Sequence, residues 1–305
     1  MSDFYVLILG SGAATPTFAR NCSGQIVNIG STKMLVDCGE ATQNHLRRYH
    51  QKIQSIKYIF LSHLHGDHFF GLPGLISTMH LCGRKEPLTL FAPKGVKAAL
   101  DLLFEVSGTH VDYPFEIVEM DHNAPRVILQ TDKFHVTAFP LQHSMPTYGF
   151  IFRQEEPLLN LKPGVRDLYG LSNEWCMRVK RGDDLVLDSG VVVPNSELAQ
   201  RLHSAHSYAY CCDTAYDESL VPTLRDVDLL CMESTFDNAF AAMAEQRQHC
   251  TAAQAATIAS LAGVKRLLLT HFSARYKNLD PLLSEAQAVF PATECASDGH
   301  IYEID

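Results

Sequence analysis

The chain contains no C-x-x-C pair, although nine cysteines are scattered from Cys22 to Cys295. An odd count without framework spacing excludes a disulfide scaffold and reads as free thiols in a reducing compartment. Cys250, the one nearest to chemically interesting residues, reads as a small apolar filler. Excess basic charge is also lacking: 25 Lys and Arg face 34 Asp and Glu, for a net charge of −9. A general nucleic-acid binder is usually basic. No DNA partner is therefore expected, and any RNA would be held by local basic patches and cations. No apolar run approaches the ~18 residues needed to span a bilayer. The opening Met1-Ser2-Asp3-Phe4 has no basic segment, and Gly10-Ser11-Gly12 breaks the apolar run behind it. No secretory signal and no membrane partner are expected, and the protein reads as cytoplasmic. Repeats and low-complexity tracts are missing too. What remains is ordinary globular composition, 46% hydrophobic and 19% charged over 305 residues, long enough to bury a large core.

Short β-type runs recur at 5–9, 25–29, 33–37, 58–61, 88–91, 115–119, 127–130, 134–139 and 148–152, many separated by turn signals. Helical periodicity is found at 41–48, 69–81, 96–106, 251–262 and 282–289. The first third favours hairpins, and the last third alternates helix with strand (229–233, a helix, 266–270). This predicts an α/β (α+β) chain with two mixed sheets covered by outer helices. The chain reads as a single domain, 1–305, with an inserted arm at about 153–188. That segment is polar, punctuated by Pro and Gly, and ends in Arg178, Lys180 and Arg181 followed by Asp183-Asp184.

One run stands out: Ser62-His63-Leu64-His65-Gly66-Asp67-His68, directly after the apolar Tyr58-Ile59-Phe60-Leu61. Just past a strand end the chain is still extended, so His63 and His65 point the same way and can hold one metal. Gly66 then permits a tight turn that presents Asp67 and His68 to a second position. Nitrogen and oxygen ligands suit zinc, and also manganese. Three imidazoles and a carboxylate in one turn are hard to explain by packing, because buried polar groups need partners.

Two adjacent metals need more ligands, and these are expected at other strand ends. His143 follows the run 135–141, Asp213 follows 208–212, and His271 follows 266–270. A consistent assignment puts His63, His65 and His143 on one ion and Asp67, His68 and His271 on the other. Asp213 bridges them, since one carboxylate can span ions ~3.5–4 Å apart. The expected cofactors are thus two divalent ions per subunit, zinc before manganese. Asp67 sits beside the position of an attacking water and is expected to orient or deprotonate it. Arg275 and Arg20 are candidate phosphate contacts, since guanidinium matches phosphate bidentately; both are equally readable as structural ion pairs. Gly10-Ser11-Gly12 lacks the Lys of a P-loop and reads as a tight turn near the site.

The pattern His63-x-His65-x-Asp67-His68 with His143, Asp213 and His271 resembles the metallo-β-lactamase superfamily. Leu9-Gly10-Ser11-Gly12-Ala13-Ala14-Thr15-Pro16-Thr17 with Arg20-Asn21 resembles the N-terminal signature of the ribonuclease Z family of tRNA 3′-processing endonucleases. Thr270-His271-Phe272-Ser273-Ala274-Arg275-Tyr276 resembles that family's last metal motif. Met232-Glu233-Ser234-Thr235-Phe236 and His249-Cys250-Thr251-Ala252 resemble two more. Met232 stands where His is usual and Cys250 where Ser is usual, and the arm has Pro163-Gly164 but no Gly-Pro pair.

The resemblance implies a four-layer αβ/βα sandwich with both metals at the edge between the sheets. It implies cleavage of a tRNA precursor just after the discriminator nucleotide, leaving a tRNA 3′-hydroxyl and a 5′-phosphate on the trailer. It further implies a homodimer in which one subunit's arm holds the tRNA bound by the other. In the family the His matching His249 lies near the scissile phosphate, where it would protonate the leaving 3′-oxygen, with Glu233 holding it as donor. Two competing readings are a phosphodiesterase or sulfatase of the same superfamily acting on a small ester, and an RNA-binding protein with a dead site.

Overall fold

A computed structural model describes residues 3–202 and 204–305. Among the described residues the longer strands assemble into two seven-stranded mixed sheets. In the first, Ile301–Glu303, Phe4–Gly10, Gly24–Ile29 and Thr32–Cys38 run antiparallel in that order. Ile56–Phe60, Leu88–Pro93 and Phe115–Met120 then continue in parallel. The second sheet runs Thr293–Cys295, Arg266–Thr270, Leu229–Glu233 and Ser207–Cys211 in parallel. Thr147–Gln154, Phe134–Leu141 and Arg126–Gln130 complete it.

The two-residue side-chain period of a strand explains how the layers stack. In Phe4–Gly10, Phe4, Val6 and Ile8 join the core shared by both sheets. Tyr5, Leu7 and Leu9 turn to the opposite face, toward helices Thr42–Arg48, Leu72–Leu81 and Val96–Ser107. Phe60 of the first sheet meets Phe150 and Phe152 of the second with ring centroids 5.4 and 5.3 Å apart. Helices Ala252–Ala262 and Asp280–Val289 cover the outer face of the second sheet, the former through Ala255, Ala256 and Ala259, which let it approach closely. The result is the four-layer helix–sheet–sheet–helix arrangement that the sequence motifs imply.

Most of the expected elements lie within two residues of where the sequence puts them, while the strands Thr293–Cys295 and Ile301–Glu303 and the helices Asn173–Lys180 and Ala241–Arg247 lie outside that expectation. The helix expected at 69–81 is instead two, Gly66–Phe69 and Leu72–Leu81, because Gly71 and Pro73 allow a new helix to start there. No helix among the described residues is long and apolar enough to cross a membrane.

Contacts divide the chain into two compact units, residues 1–153 with 206–305, and residues 154–205. The smaller unit has its own core of Val165, Leu171, Cys176, Val179, Leu185 and Leu198. The segment singled out at about 153–188 lies mostly within it, and the unit runs on to Ala205 because Ala199–Gln200 pairs with Asn160–Leu161. The Arg178 guanidinium lies 4.2 Å from the Trp175 ring centroid and 2.8 Å from Asp183, so its charge is locally spent.

Candidate active site

The parallel strands of each sheet deliver the functional side chains at their carboxyl ends. Ile56–Phe60 leads into His63, His65, Asp67 and His68; Ser207–Cys211 into Asp213; Arg266–Thr270 into His271. His143 follows Phe134–Leu141. Among the described residues these seven converge on two adjoining clusters. In the first, His63 Nε2 and His65 Nδ1 are 3.0 Å apart, and His65 Nδ1 and His143 Nε2 are 3.3 Å apart. Asp213 Oδ2 lies 3.7 and 3.8 Å from the Nε2 atoms of His63 and His143. In the second, His68 Nε2 and His271 Nε2 are 3.3 Å apart. Asp67 Oδ2 approaches these two at 3.5 and 3.4 Å, and Asp213 Oδ1 at 3.6 and 3.2 Å. The two oxygens of Asp213 thus face different clusters.

These spacings fit a divalent ion in each cluster. Ligands 2.0–2.2 Å from a tetrahedral zinc are separated from each other by about 3.3–3.6 Å, close to the separations found. Electrostatics agree. Burial alone would lower the His68 imidazole, yet Asp213, Asp37 and Asp67 crowd around it and raise it well above its usual value. A fully buried pocket that surrounds one side chain with three carboxylates demands positive charge. The same neighbours work in reverse on the acids: burial opposes ionisation of Asp67, and His68 and His271 more than offset it, holding the carboxyl well below its usual range.

Four of the imidazoles are also fixed from behind. The Nδ1 atoms face Ser62 Oγ (2.9 Å, from His63), Asp37 Oδ2 (2.7 Å, from His68), the Gln248 carbonyl (3.1 Å, from His143) and Thr235 Oγ1 (2.9 Å, from His271). An oxygen on Nδ1 leaves Nε2 as the free ligand atom and orients the ring. Asp37 is the centre of this outer layer. Wholly buried, it also accepts the Ser62 amide and hydroxyl and the Tyr210 hydroxyl. The backbone of Asp37 and of His271 is left-handed, with φ +55° and +59°. Non-glycine residues hold that conformation at a cost of about 1–3 kcal/mol, which clusters at functional sites.

Sequence reasoning passed over Asp37, Ser62 and Thr235. A lone acid ending the apolar strand Met34-Leu35-Val36-Asp37 was a usable signal for the first, the same one that marks Asp213. Cys212 was also missed as a chemical group. Its Sγ lies 2.7 Å from Asp213 Oδ1 and within reach of the second cluster.

His249 stands beside both clusters, its ring centroid 5.3 Å from that of His143 and 5.5 Å from that of His271. Its Nδ1 is 2.9 Å from Glu233 Oε1. Glu233 is wholly buried and accepts from the Thr214 amide, the Thr235 hydroxyl and the Cys250 amide, which together fix its position. Burial alone would lower His249; the adjacent Glu233 charge overrides it and lifts the imidazole to about 9.

The clusters open into a cleft of about 740 Å³, whose walls include Ala14, Pro16, Phe70, Phe236, Arg247 and Ser273. The Ala14 amide donates to Asp67 Oδ2 at 2.7 Å, fastening the N-terminal loop to a candidate ligand. Gly10 to Gly12 do not make the tight turn expected there: Gly10 ends the first strand and Gly12 bridges to Cys22 and Phe272, while the Ser11 hydroxyl and the Asn21 amide donate to Asp298. The two arginines differ. Arg20 is buried, and its guanidinium donates to the carbonyls of Tyr276, at 2.5 Å, and Ser273, at 3.4 Å. Arg275 is exposed, 4.2 and 5.0 Å from the ring centroids of Phe240 and Phe236.

Comparisons with known proteins agree with this geometry. Residues 4–159 match a family model described as Anti-Pycsar protein Apyc1. The ribonuclease Z of Bacteroides thetaiotaomicron is 39% identical, with 100% of this chain and 96% of that protein covered. The ribonuclease Z of Parabacteroides distasonis is 37% identical over 98% of each chain. Among solved structures, human tRNase Z, short form, covers 99% of both chains at 26% identity with a TM-score of 0.73. The metallo-β-lactamase fold protein YhfI from Bacillus subtilis, at 19% identity, shares the fold with a TM-score of 0.70. The chain shares its first half with the Apyc1 family and, along its whole length, belongs to the ribonuclease Z family of metallo-β-lactamase fold proteins.

Proposed function

We propose that the protein is a metal-dependent endoribonuclease that removes the 3′ trailer from tRNA precursors, leaving a 3′-hydroxyl on the tRNA and a 5′-phosphate on the trailer. The observation that carries the chemistry is the shared carboxylate: Asp213 turns one oxygen to His63 and His143 and the other to His68 and His271. The substrate follows from whole-length similarity to proteins named ribonuclease Z and tRNase Z.

In this reading His63, His65, His143 and Asp213 hold one divalent ion, and Asp67, His68, His271 and Asp213 hold another, zinc in preference to manganese. What such ions supply is a lowered pKa for the attacking water and neutralisation of phosphodiester charge. Asp67 would orient or deprotonate that water. His249, kept protonated by Glu233, gives a proton to the leaving 3′-oxygen of the tRNA. Arg275 meets the phosphate of the bound RNA, and Arg20 bears on substrate through the Ser273–Tyr276 turn that it braces. The unit 154–205 grips the tRNA bound by the partner subunit of a homodimer.

The test incubates the protein, with zinc and separately with manganese, with a trailer-bearing tRNA precursor and with bis(p-nitrophenyl) phosphate. Trailer release with the cut after the discriminator supports the reading. Turnover of the small ester alone, or RNA binding without cleavage, overturns it.

A further inference from the structure

Phe70 follows the histidine run and is not used by the chemistry above. Its neighbour Phe69 is buried, as a Phe beside a core should be, but Phe70 is 70% exposed. The ring is not loose in solvent. A Cβ built on Gly66 would come within 2.4 Å of Phe70 Cε2, so the ring lies against the Gly66 backbone. Gly66 sits between His65 and Asp67, and Phe70 lines the same cleft as both. One side of the ring is therefore backed by the chain, and the remainder opens beside the reacting centre. A backed, exposed aromatic face is what a nucleobase stacks on, and such stacking tolerates any base because each has a π-face.

The side of the cut follows from the placement of the proton donor. His249 stands beside His143 and His271, whereas Phe70 rests on the residue before Asp67. If His249 protonates the leaving 3′-oxygen, the last tRNA nucleotide lies on its side. The water held by Asp67 attacks in line, opposite that oxygen, so the trailer's 5′-oxygen extends from the phosphate to the side of this axis, where the trailer can run along the cleft wall that carries Phe70. We propose that Phe70 is the stacking platform for the first trailer nucleobase. This assignment rests on the tRNA 3′-processing reading given above.

The experiment uses metal-loaded wild type, Phe70→Ala and Phe70→Tyr. Each cleaves an intact precursor, one abasic at the first trailer position, and one abasic at the last tRNA nucleotide. Phe70→Ala is expected to lose on the order of tenfold in kcat/KM on the intact precursor, with metal content unchanged and Phe70→Tyr close to wild type. The abasic trailer should slow the wild type by a similar factor and slow Phe70→Ala no further. Equal rates for wild type and Phe70→Ala overturn the assignment. So do losses that multiply, non-additivity with the abasic tRNA nucleotide instead, or a drop in metal content, which would make the ring a brace for Asp67. A wild type that leaves the intact precursor uncut overturns the underlying reading and this assignment with it; every other outcome leaves that reading standing.

Discussion

Asp37 holds His68 from behind and belongs to neither candidate metal cluster. It accepts from the His68 ring, Ser62 and Tyr210 at once, in a wholly buried position. Asp37→Asn preserves shape but removes the charge that fixes the imidazole. Affinity at the second ion position should fall about 10- to 100-fold, as for other carboxylates behind a metal-bound His. Competition with a chromophoric chelator measures this, and an unchanged affinity contradicts it. His249 has a different role and a different signature. His249→Ala should slow cleavage by about 10²–10⁴-fold, the range of a lost general acid, with metal content and melting temperature retained. Turnover equal to wild type refutes the proton-donor role. The contrast explains what could be read from residues alone. His63 to His68, His143, Asp213 and His271 advertise themselves through uncommon chemistry at strand ends. Asp37, Ser62 and Thr235 are ordinary residue types whose role depends on which imidazole lies behind them, a fact that periodicity does not carry.

At the scale of elements, the strands that carry Asp213, Glu233 and His271 are tied together at their starts by one carboxylate. Asp228 accepts the Ser207 amide and hydroxyl at 2.6 and 2.8 Å, and the Lys265 ammonium at 2.5 Å. Burial would raise its pKa, but the Lys265 and Ser207 hydrogen bonds outweigh burial and leave it lowered. In the unfolded chain it should titrate near 3.9. The stability it contributes is therefore complete above about pH 4 and is lost as pH falls through the lower folded value. Denaturant unfolding should show wild type more stable than Asp228→Asn at pH 7, with the gap closing on acidification. A gap independent of pH contradicts the ion-pair account. The strands themselves were legible because both faces alternate between two buried layers. Their order was not, since a period of two says nothing about which strand pairs with which. The short strand pairs of residues 154–205 were also illegible, for each has only two residues per strand.

At the scale of the molecule, an acidic chain with net charge −9 is expected to handle a polyanion. The fold resolves part of the tension by gathering its His and Asp clusters at the ends of both sheets, where bound cations would offset the local acids. The family motifs spread from residue 9 to residue 276, and this spread made the whole architecture readable, since no single loop specifies it. The most direct measurement is cleavage of a tRNA precursor with a 3′ trailer by chelator-treated protein, before and after zinc or manganese is restored. The account predicts no cleavage without ions. It predicts, on restoration, one cut after the discriminator nucleotide, a tRNA ending in a 3′-hydroxyl and a trailer beginning with a 5′-phosphate. Cleavage that persists without divalent ions, or a reconstituted protein that leaves the trailer attached, would contradict it.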